Sequence, residues 1–231
     1  MAKSLWVRPM FDAIAPRYDV LNRLMSAGMD RGWRRFAVAQ AMRGHPAKVL
    51  DVGAGTCDLG LEIGRTATSN PQVIAVDFAG RMLSRGMERV RQDSANVRAV
   101  KGDALNLPVA SSSFDAVISA FVLRNLDSLD QAWANFARVL RPGGMLVVLE
   151  MTPLRNPFVR RVFRIYFHRW VPWIGRQLSG HAEAYRWLPQ SVDQFPPAET
   201  IARQIESAGF DGVVVHRLGF GTIAVHVACR K

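Results

Sequence analysis

Three aspartates, Asp51, Asp77 and Asp103, stand at positions where a side chain could do chemistry. Each follows a short run of aliphatic residues, in VLDVG, VIAVD and VRAVKGD. Such runs are typical of buried strands, and the ligands of an open α/β sheet bind at the carboxyl ends of its strands. A carboxylate there can accept hydrogen bonds from ribose hydroxyls or lie beside a positively charged ligand. The alternative is that these acids only cap helices.

The turn after the first of these strands reads LDVGAGTCDLG and contains Gly53 and Gly55. Glycines let the backbone approach a ligand closely, although both could be plain turn glycines. The dinucleotide fingerprint GxGxxG needs a third glycine where this chain has Asp58, and an acid at a helix start repels a pyrophosphate. No GxxxxGK[ST] pattern occurs either. A nucleoside with a cationic sulfonium has no phosphate to repel. The turn therefore predicts an S-adenosylmethionine (SAM) site that includes Asp51, Gly53 and Gly55.

The elements that must position these residues alternate between strands and helices from position 48 onward. Strands are predicted at 49–53, 72–77, 97–103, 113–121 and 145–151, and helices at 80–92 and 127–141, the last stopped by Pro142-Gly143-Gly144. A helix at 198–210 precedes strands at 211–218 and 221–230, which are too close for a crossover and must pair antiparallel. The pattern predicts an α/β fold: a mostly parallel sheet with one reversed strand near the C-terminus and helices on both faces.

Length and composition limit the class of protein further. With 231 residues, 49% of them hydrophobic, the chain suffices for a single domain. We expect a helical cap (1–45), a cofactor-binding core (46–151), a basic and aromatic insertion (152–196) and a final helix with a hairpin (197–231). The two cysteines predict neither a disulfide framework nor a metal site. The sequence has no apolar run of the length of a signal peptide or of the ~18 residues of a membrane helix. We expect a cytoplasmic protein, or one peripheral to the inner face of the cell membrane.

The formal net charge of +11 favours an anionic partner: nucleic acid, acidic lipid or a charged substrate. Residues 153–189 carry seven arginines, one acid and eight aromatic side chains. This mixture suits an interfacial contact with an anionic membrane, and it suits equally a lid whose aromatic side chains pack over a substrate. The two interpretations are compatible. A homodimer is left open.

Longer stretches carry a resemblance. LDVGAGT, VIAVD, GDALNLP and RVLRPGGMLVVLE resemble the motifs of class I SAM-dependent methyltransferases, which have a Rossmann-like sheet. RYDVLNRLMSAGMDRGW (17–33), AFVLRNL (120–126) and RVLRPGGMLVVLEMT (138–152) are similar to the ubiquinone/menaquinone biosynthesis C-methyltransferase family, the UbiE-type enzymes. The resemblance covers essentially the whole chain. The chain departs from the family's usual glycine at Cys57 and Val122, and from its usual histidine at Asp30.

The resemblance implies a cofactor, a substrate and a set of site residues. The cofactor is SAM, and the substrate is a prenylated quinol, either demethylmenaquinol or a methoxylated polyprenyl benzoquinol. Demethylmenaquinol is preferred, because its naphthoquinol head group is more apolar and no residue is identified that would bind a methoxy group. The SAM contacts carried over are Thr56, Asp77, Asp103 and Ala104, and the expected set also includes Ala120.

The catalytic candidates follow the fourth strand or lie in the N-terminal signature. Arg124, with Asn125, is placed to stabilise a phenolate, or else forms a structural ion pair with an acid. Tyr18 is placed to bond the substrate or the acids of the cofactor site, or else is a core tyrosine. Three histidines, His168, His181 and His226, are considered as catalytic bases. His226 is predicted to be structural, and His181 is predicted to be within reach of the pocket.

Three other functions are compatible with parts of this pattern. A nucleic-acid methyltransferase acting on base amines typically has an Asn/Asp-Pro-Pro-aromatic stretch after the fourth strand, where this chain reads AFVLRN. We therefore expect no nucleic-acid partner. A non-catalytic SAM-binding protein and a methyltransferase of another small lipid or metabolite share most of the motifs.

Overall fold

The structure of the chain is a computed structural model that describes residues 3–155, 161, 167, 169 and 182–231. Its helices are α1 (Lys3–Ile14), α2 (Tyr18–Met25), α3 (Asp30–Ala41), α4 (Asp58–Thr66), α5 (Gly80–Asp93), α6 (Leu129–Val139), α7 (Ala182–Asp193) and α8 (Ala198–Ser207). Its strands are β1 (Lys48–Val52), β2 (Gln72–Asp77), β3 (Val97–Lys101), β4 (Phe114–Ala120), β5 (Leu140–Met151), β6 (Phe210–Leu218) and β7 (Ile223–Arg230). Single 3-10 turns lie at Ala15–Arg17, Leu123–Asn125 and Gly219–Gly221.

The seven strands form one sheet in the order β3-β2-β1-β4-β5-β7-β6. The first five strands pair parallel, in the registers Asp51↔Ala75 and Asp51↔Ile118 around the central strand. Strand β7 is antiparallel to both β5 and β6, so it is the single reversed strand. The predicted mixed sheet is confirmed. The reversal follows from the short Gly219–Gly221 connection, which leaves no room for a crossover helix.

Side chains of successive strand residues alternate between two buried layers. Val49 faces a cluster with residues of α3, α4 and α5, whereas Leu50 faces a second cluster with α6 and α8. Trp133 and Phe136 of α6 are fully buried in the second cluster, with ring centroids 5.8 Å apart in an edge-to-face arrangement. Both faces of the sheet are therefore covered by helices, which explains why the strands read as continuous aliphatic runs and not as an alternating pattern.

The boundary between α6 and β5 differs from the prediction. The helix predicted to run to residue 141 ends at Val139, and β5 begins at Leu140 and continues through Pro142-Gly143-Gly144. Leu140 is fully buried and pairs with Phe114, and the pairing then shifts so that Met145 lies opposite Ala116. The glycines let β5 bulge out between these two pairs, with Gly143 at a φ of +77°. The Pro-Gly-Gly segment is thus a strand irregularity and not the stop of a helix.

The N-terminal helices and the described part of the insertion lie outside the regular alternation of strands and helices. Helix α1 and the Ala15–Arg17 turn pack beside α5, α2 packs against that turn, and α3 packs against β4 and β5. Only part of the insertion is described, and that part includes Leu154, Phe167 and α7. His168 and His181, which were considered as catalytic bases, fall outside the described residues. No helix in the described portion of the chain is long and apolar enough to cross a membrane.

Candidate active site

Two cavities meet at the carboxyl ends of the parallel strands. The smaller cavity encloses about 760 Å³, its open mouth included, and the larger about 1430 Å³. Tyr18 and Phe121 line both cavities, so these two side chains stand at the junction. The smaller cavity is lined by loops after β1, β2 and β4 and by the residues around Asp103. The larger one lies between the N-terminal helices, β5 and the hairpin turn between β6 and β7.

The floor of the smaller cavity is the turn after β1. The backbone N–H groups of Gly53 and Ala54 both donate to the carbonyl of Val76, at 2.7 and 3.0 Å, which folds the turn back over β2. Gly53 and Gly55 have φ values of +68° and +52°, in the left-handed region that favours glycine. A Cβ added at Gly53 would lie 2.9 Å from Cγ1 of Val122 and closer still to its Cγ2. Glycine is therefore required at position 53 both by its backbone conformation and by the space left by Val122.

We expect Gly53→Ala to destabilise the fold by the left-handed backbone cost of ~1–2 kcal/mol plus ~1–3 kcal/mol for the overlap with Val122. Gly143 provides a matched control, because its φ is +77° and nothing lies within 4 Å of an added Cβ. Gly143→Ala should therefore show the backbone cost alone in urea unfolding. Adding Val122→Ala to Gly53→Ala should recover most of the steric part, because only the Cβ of residue 122, at 3.0 Å, then remains close. Equal losses in the two single variants would contradict the close contact.

Asp77 closes the other side of the smaller cavity. Its Oδ2 accepts a hydrogen bond from the backbone N–H of Gly55 and its Oδ1 one from Ala79, both at 2.8 Å. Burial raises the pKa of Asp77 to about 6, although these two backbone donors act in the opposite direction. Each oxygen has a further lone pair available, so the carboxylate can accept a pair of hydroxyl groups from a ligand in the cavity.

Asp51 lies beneath the cavity and does not line it. The side chain is fully buried, and neither carboxylate oxygen has a well-formed hydrogen bond within the described structure. Burial raises the pKa of Asp51 to about 8, with Asp77 and Asp58 adding to the shift, while the backbone N–H of Gly60 offsets part of it. A buried carboxylate without a partner is costly, and a nearby positive charge would relieve that cost.

The charge of the smaller cavity decides which cofactor fits. Its described lining includes three aspartates, Asp77, Asp103 and Asp127, and no lysine, arginine or histidine. A pyrophosphate would meet carboxylates and no cation, which argues against a dinucleotide. The acids, the buried Asp51 and the apolar walls fit a nucleoside that carries a positive charge and no phosphate. SAM is such a nucleoside, because its sulfur is a sulfonium. The walls that could hold its adenine include Phe78, Ala79, Met82, Ala104 and Leu105.

An ion-pair network connects the N-terminal helices to the turn after β1. Arg89 of α5 donates to Asp58 at 2.8 Å, to Asp19 at 3.2 Å and to the carbonyl of Thr56 at 2.9 Å. The Thr56 hydroxyl donates to Asp19 at 2.7 Å, so Thr56, which is 2% exposed, lies beside the cavity and not on its surface. On the other side, Arg34 reaches Asp58 at 3.3 Å. Sequence reasoning missed this network, because its members are scattered along residues 19–89.

Cys57, in the turn after β1, and Val122, after β4, are two positions where the chain departs from the glycine usual in the family that it resembles. Cys57 adopts a φ of +62° and is fully buried, and burial raises the pKa of its thiol to about 12. Val122 lines the smaller cavity above Gly53. Asp30, the third departure, accepts hydrogen bonds from Ser26 at 2.9 Å and from Arg34 at 2.5 Å. It therefore holds Arg34 at the wall of the larger cavity.

The junction of the two cavities combines an aromatic ring with two guanidinium groups. The guanidinium carbons of Arg34 and Arg124 lie 5.5 and 5.9 Å from the centroid of the Phe121 ring. Burial raises the pKa of Tyr18, while the charges of Arg124 and Arg34 act to lower it. Burial alone would lower the pKa of Arg34, but Asp58 and Asp30 outweigh it and raise the pKa. The two guanidinium groups therefore act to stabilise negative charge on a phenolic oxygen at the junction, although for Tyr18 itself burial outweighs them.

Arg124 forms the ion pair that the sequence left open as an alternative to a catalytic role. Its Nη1 donates to Glu150 at 2.6 Å and to the carbonyl of Phe121 at 2.8 Å. Phe121 has a φ of +62°, so this second bond holds a residue in an unfavourable conformation at the junction. Arg124 nevertheless lines the larger cavity, and its Nη2 has no hydrogen-bond partner among the described residues. One side of the guanidinium is structural and the other remains available to a ligand.

Asn125 lies on the opposite side of the junction, in the lining of the smaller cavity. Its Oδ1 accepts a hydrogen bond from the indole N–H of Trp187 at 3.0 Å, and its amide donates weakly to the carbonyl of Phe121 at 3.4 Å. Trp187 belongs to α7, within the segment predicted to form a lid. The described part of that segment therefore reaches the cofactor side of the junction through Asn125.

The predicted site residues separate into three groups. Those that line the smaller cavity are Gly53, Gly55, Asp77, Asp103, Ala104, Ala120, Tyr18 and Asn125. Asp51 and Thr56 lie behind its wall, and Arg124 lines the larger cavity. His226 is buried in β7 with Nε2 2.9 Å from the carbonyl of Ala198, in keeping with the structural role expected of it.

Sequence reasoning missed Glu150, Arg34 and Phe121. Glu150 comes at the end of the aliphatic run MLVVLE, so the rule that identified the other acids would have identified it too. Arg34 carried no such signal, because arginines are numerous throughout the chain. Phe121 follows β4 directly, but nothing in its sequence surroundings indicates a left-handed conformation.

Comparison with known proteins agrees with the geometry of the site. Residues 1–230 match the profile of the ubiE/COQ5 methyltransferase family. A demethylmenaquinone methyltransferase of Deinococcus radiodurans is 44% identical over 208 residues, which are 90% of this chain and 86% of the relative. A ubiquinone/menaquinone biosynthesis C-methyltransferase UbiE of Ralstonia nicotianae is 37% identical, over 97% of this chain and 92% of the relative.

A solved structure with low sequence identity has the same fold. A SAM-dependent methyltransferase of Thermotoga maritima superposes with a TM-score of 0.67 at 18% identity, over 97% of this chain and 99% of the other. The fold expected from the sequence is thereby confirmed as that of the class I SAM-dependent methyltransferases.

Proposed function

This chain belongs to the ubiE/COQ5 methyltransferase family and is a SAM-dependent methyltransferase, and we propose that it methylates a ring carbon of a prenylated quinol. The observation that carries the proposal is the pair of cavities that meet at Tyr18 and Phe121. One is acidic and fits the cofactor. The other is larger and mostly apolar, and the guanidinium groups in its lining, those of Arg34 and Arg124, lie near the Phe121 ring at the junction.

The cofactor supplies an electrophilic methyl group carried on a positively charged sulfur. We propose that Asp77 accepts hydrogen bonds from the ribose hydroxyls and that Asp103 and Ala104 lie beside the adenine. Gly53 and Gly55 let the backbone approach the amino-acid end, and Ala120 adds to the wall there. Asp51 and Thr56 act from behind the wall. Asp51, whose pKa burial raises to about 8, ionises in response to the positive charge of the cofactor, and Thr56 joins the turn to Asp19.

The larger cavity suits a quinol with an apolar tail. Its walls include the apolar side chains of Met25, Met29, Trp33, Met151, Leu154, Phe167, Leu188 and Ile223. The polar side chains in this lining are Tyr18, Asn22, Ser26, Asp30, Arg34, Arg124 and Thr222, and Asp30 is paired with Arg34. A head group with hydroxyls can therefore bind toward the arginines while the tail lies along the apolar walls.

The chain's part in the chemistry is to favour the ionised quinol and to orient it. A phenol with a pKa of ~10 is mostly protonated at neutral pH, and its ring carbon becomes strongly nucleophilic only when the hydroxyl loses its proton. We propose that the available Nη2 of Arg124, assisted by the charge of Arg34, stabilises the phenolate. Tyr18 bonds the ring oxygen at the junction, and Asn125 helps to position Phe121. Preorganised charges of this kind act strongly in a site that excludes water.

The head group is proposed to be a naphthoquinol, so that the reaction converts demethylmenaquinol to menaquinol. The relative with 44% identity is a demethylmenaquinone methyltransferase, and the apolar lining suits the wider, more apolar ring. The family name of the second relative includes both quinones. A methoxylated polyprenyl benzoquinol is therefore retained as a second substrate.

The test is a direct assay with SAM and a panel of reduced naphthoquinols and benzoquinols of equal tail length. We expect a mass gain of one methyl on the naphthoquinol ring, at a rate higher than on the benzoquinol. An O-methylated quinol of the same mass is a matched standard, because chromatography separates it from the C-methylated product. A protein that binds SAM but methylates neither quinol would overturn the substrate assignment in favour of another small metabolite.

A further inference from the structure

The tip of the hairpin between β6 and β7 exposes an aromatic side chain to solvent. Phe220 is 91% exposed, the most of any large hydrophobic residue in the described chain. It also has a φ of +56°, between Gly219 at +54° and Gly221 at +89°. A phenylalanine here contributes little packing and adopts a backbone conformation that suits glycine better. Neither the core nor the turn accounts for an aromatic residue at this position.

The turn that carries Phe220 is anchored to the body of the protein. The Thr222 hydroxyl donates to the carbonyl of Gly219 at 2.6 Å, and Arg217 donates to that of Gly221 at 3.3 Å. The Cα of Gly219 packs so closely on Trp33 that an added Cβ would lie 2.9 Å from the indole ring. The exposed ring is therefore presented from a fixed position.

Phe220 belongs to the rim of the larger cavity. Met29, from the loop between α2 and α3, lines the same cavity and is 42% exposed. Trp33 and Leu154 line the cavity too, and both pack near the hairpin turn. Two exposed apolar side chains, Phe220 and Met29, therefore stand at the edge of the larger cavity.

Positive charge accompanies this rim. Arg23 and Arg31, on either side of Met29 in the chain, are exposed, and neither side chain has an ion-pair partner among the described residues. The whole chain has a formal net charge of +11. Exposed apolar side chains together with exposed arginines on the same part of the chain, as around Met29, are the combination that binds the surface of an anionic bilayer.

We propose that Phe220 and Met29 insert into an anionic lipid bilayer, so that the mouth of the larger cavity opens into the membrane surface. This inference rests on the proposed function, since a prenylated quinol resides in the bilayer and its tail would otherwise have to cross water. The hairpin tip then acts as the membrane contact at the opening, and Arg23 and Arg31 pair with lipid headgroups.

The experiment compares Phe220→Gly with the control Val214→Ser in vesicle binding. Val214 is also an exposed apolar residue, at 49%, but it lies on strand β6 and does not line the larger cavity. Vesicles of phosphatidylglycerol and phosphatidylcholine are floated with each protein at low and high salt. We expect Phe220→Gly to weaken binding about tenfold, as the loss of one buried aromatic side chain implies, and Val214→Ser to bind like the wild type.

Three further measurements separate the membrane contact from misfolding and from the substrate assignment. The melting temperature of Phe220→Gly should not fall, because glycine relieves the positive φ. Phe220→Trp should restore vesicle binding. Turnover of a long-tailed quinol in vesicles should fall about tenfold more than turnover of the same quinol with a short tail, in proportion to the lost binding.

Contrary results have distinct meanings. Equal vesicle binding by Phe220→Gly, Val214→Ser and the wild type overturns the inference, and so does a Phe220-dependent dimer in sedimentation without vesicle binding. If short-tailed quinols are methylated but the wild type binds no vesicles, the inference fails and the proposed function stands. If binding depends on Phe220 but no quinol is methylated, the membrane contact is supported and the proposed substrate is wrong.

Discussion

Replacement of Arg124 by alanine is expected to lower turnover roughly 10²–10³-fold, the range for loss of one preorganised donor to a developing oxyanion. SAM binding should change far less, because Arg124 lines the larger cavity and not the smaller one. Turnover and SAM affinity must be measured on the same preparation, the first by product mass and the second by calorimetry. A parallel collapse of both would place Arg124 in the cofactor site, and no change in either would show that the catalytic assignment is wrong.

The ion pair with Glu150 complicates this experiment and also supplies its control. Alanine at position 124 leaves Glu150, which is 1% exposed, as an unpaired buried acid, and breaking a buried pair in this way costs ~3–5 kcal/mol. The double variant Arg124→Ala/Glu150→Gln removes the unpaired charge. It should recover most of the lost stability but little of the turnover. If turnover recovers along with stability, Arg124 acts by holding Phe121 and Glu150 and not on the substrate.

Replacement of Asp77 by alanine is expected to weaken SAM binding by ~1.5–3 kcal/mol, the range for hydrogen bonds to a charged group. S-adenosylhomocysteine should lose a similar amount, because it has the same ribose. In the wild-type protein, SAM and S-adenosylhomocysteine should both raise the melting temperature, whereas NAD and ATP should not. Equal stabilisation by NAD would contradict the interpretation of the acidic cavity.

The pH dependence gives an independent test of Asp77. Its pKa in the free protein is raised to about 6 by burial, and the proposed ribose contacts require the ionised form. The part of the SAM affinity that depends on Asp77 should therefore be fully developed above about pH 7 and should fall as the pH drops from 7 to 5. Asp77→Asn should remove this dependence. The surface variant Asp93→Asn, on α5 and paired with Arg65, should bind SAM like the wild type at every pH.

Local sequence was sufficient for the elements of the core and for the acids at the strand ends. The aliphatic runs of β1, β2 and β4 are buried on both faces, so they carry a signal that depends little on the rest of the chain. The end of α6 at Val139 was predicted less well. A Pro-Gly-Gly segment can end a helix, but it can equally form a bulge within a strand. Only the burial of Leu140 against Phe114 decides between these outcomes.

The sequence by itself determined the fold class, the acidic cofactor turn and the family, because each depends on short stretches whose chemistry is local. The tertiary structure alone decided which predicted residues face a ligand. Asp51 and Thr56 lie behind the cavity wall, because β1 and the ion-pair network bury them. In the sequence they stand on either side of Gly53 and Gly55, which do line the cavity. Likewise, the partner of Arg124 is 26 positions away on a neighbouring strand, and pairings between strands depend on the register of the sheet. That register also brings Phe121 and the two arginines together at the junction.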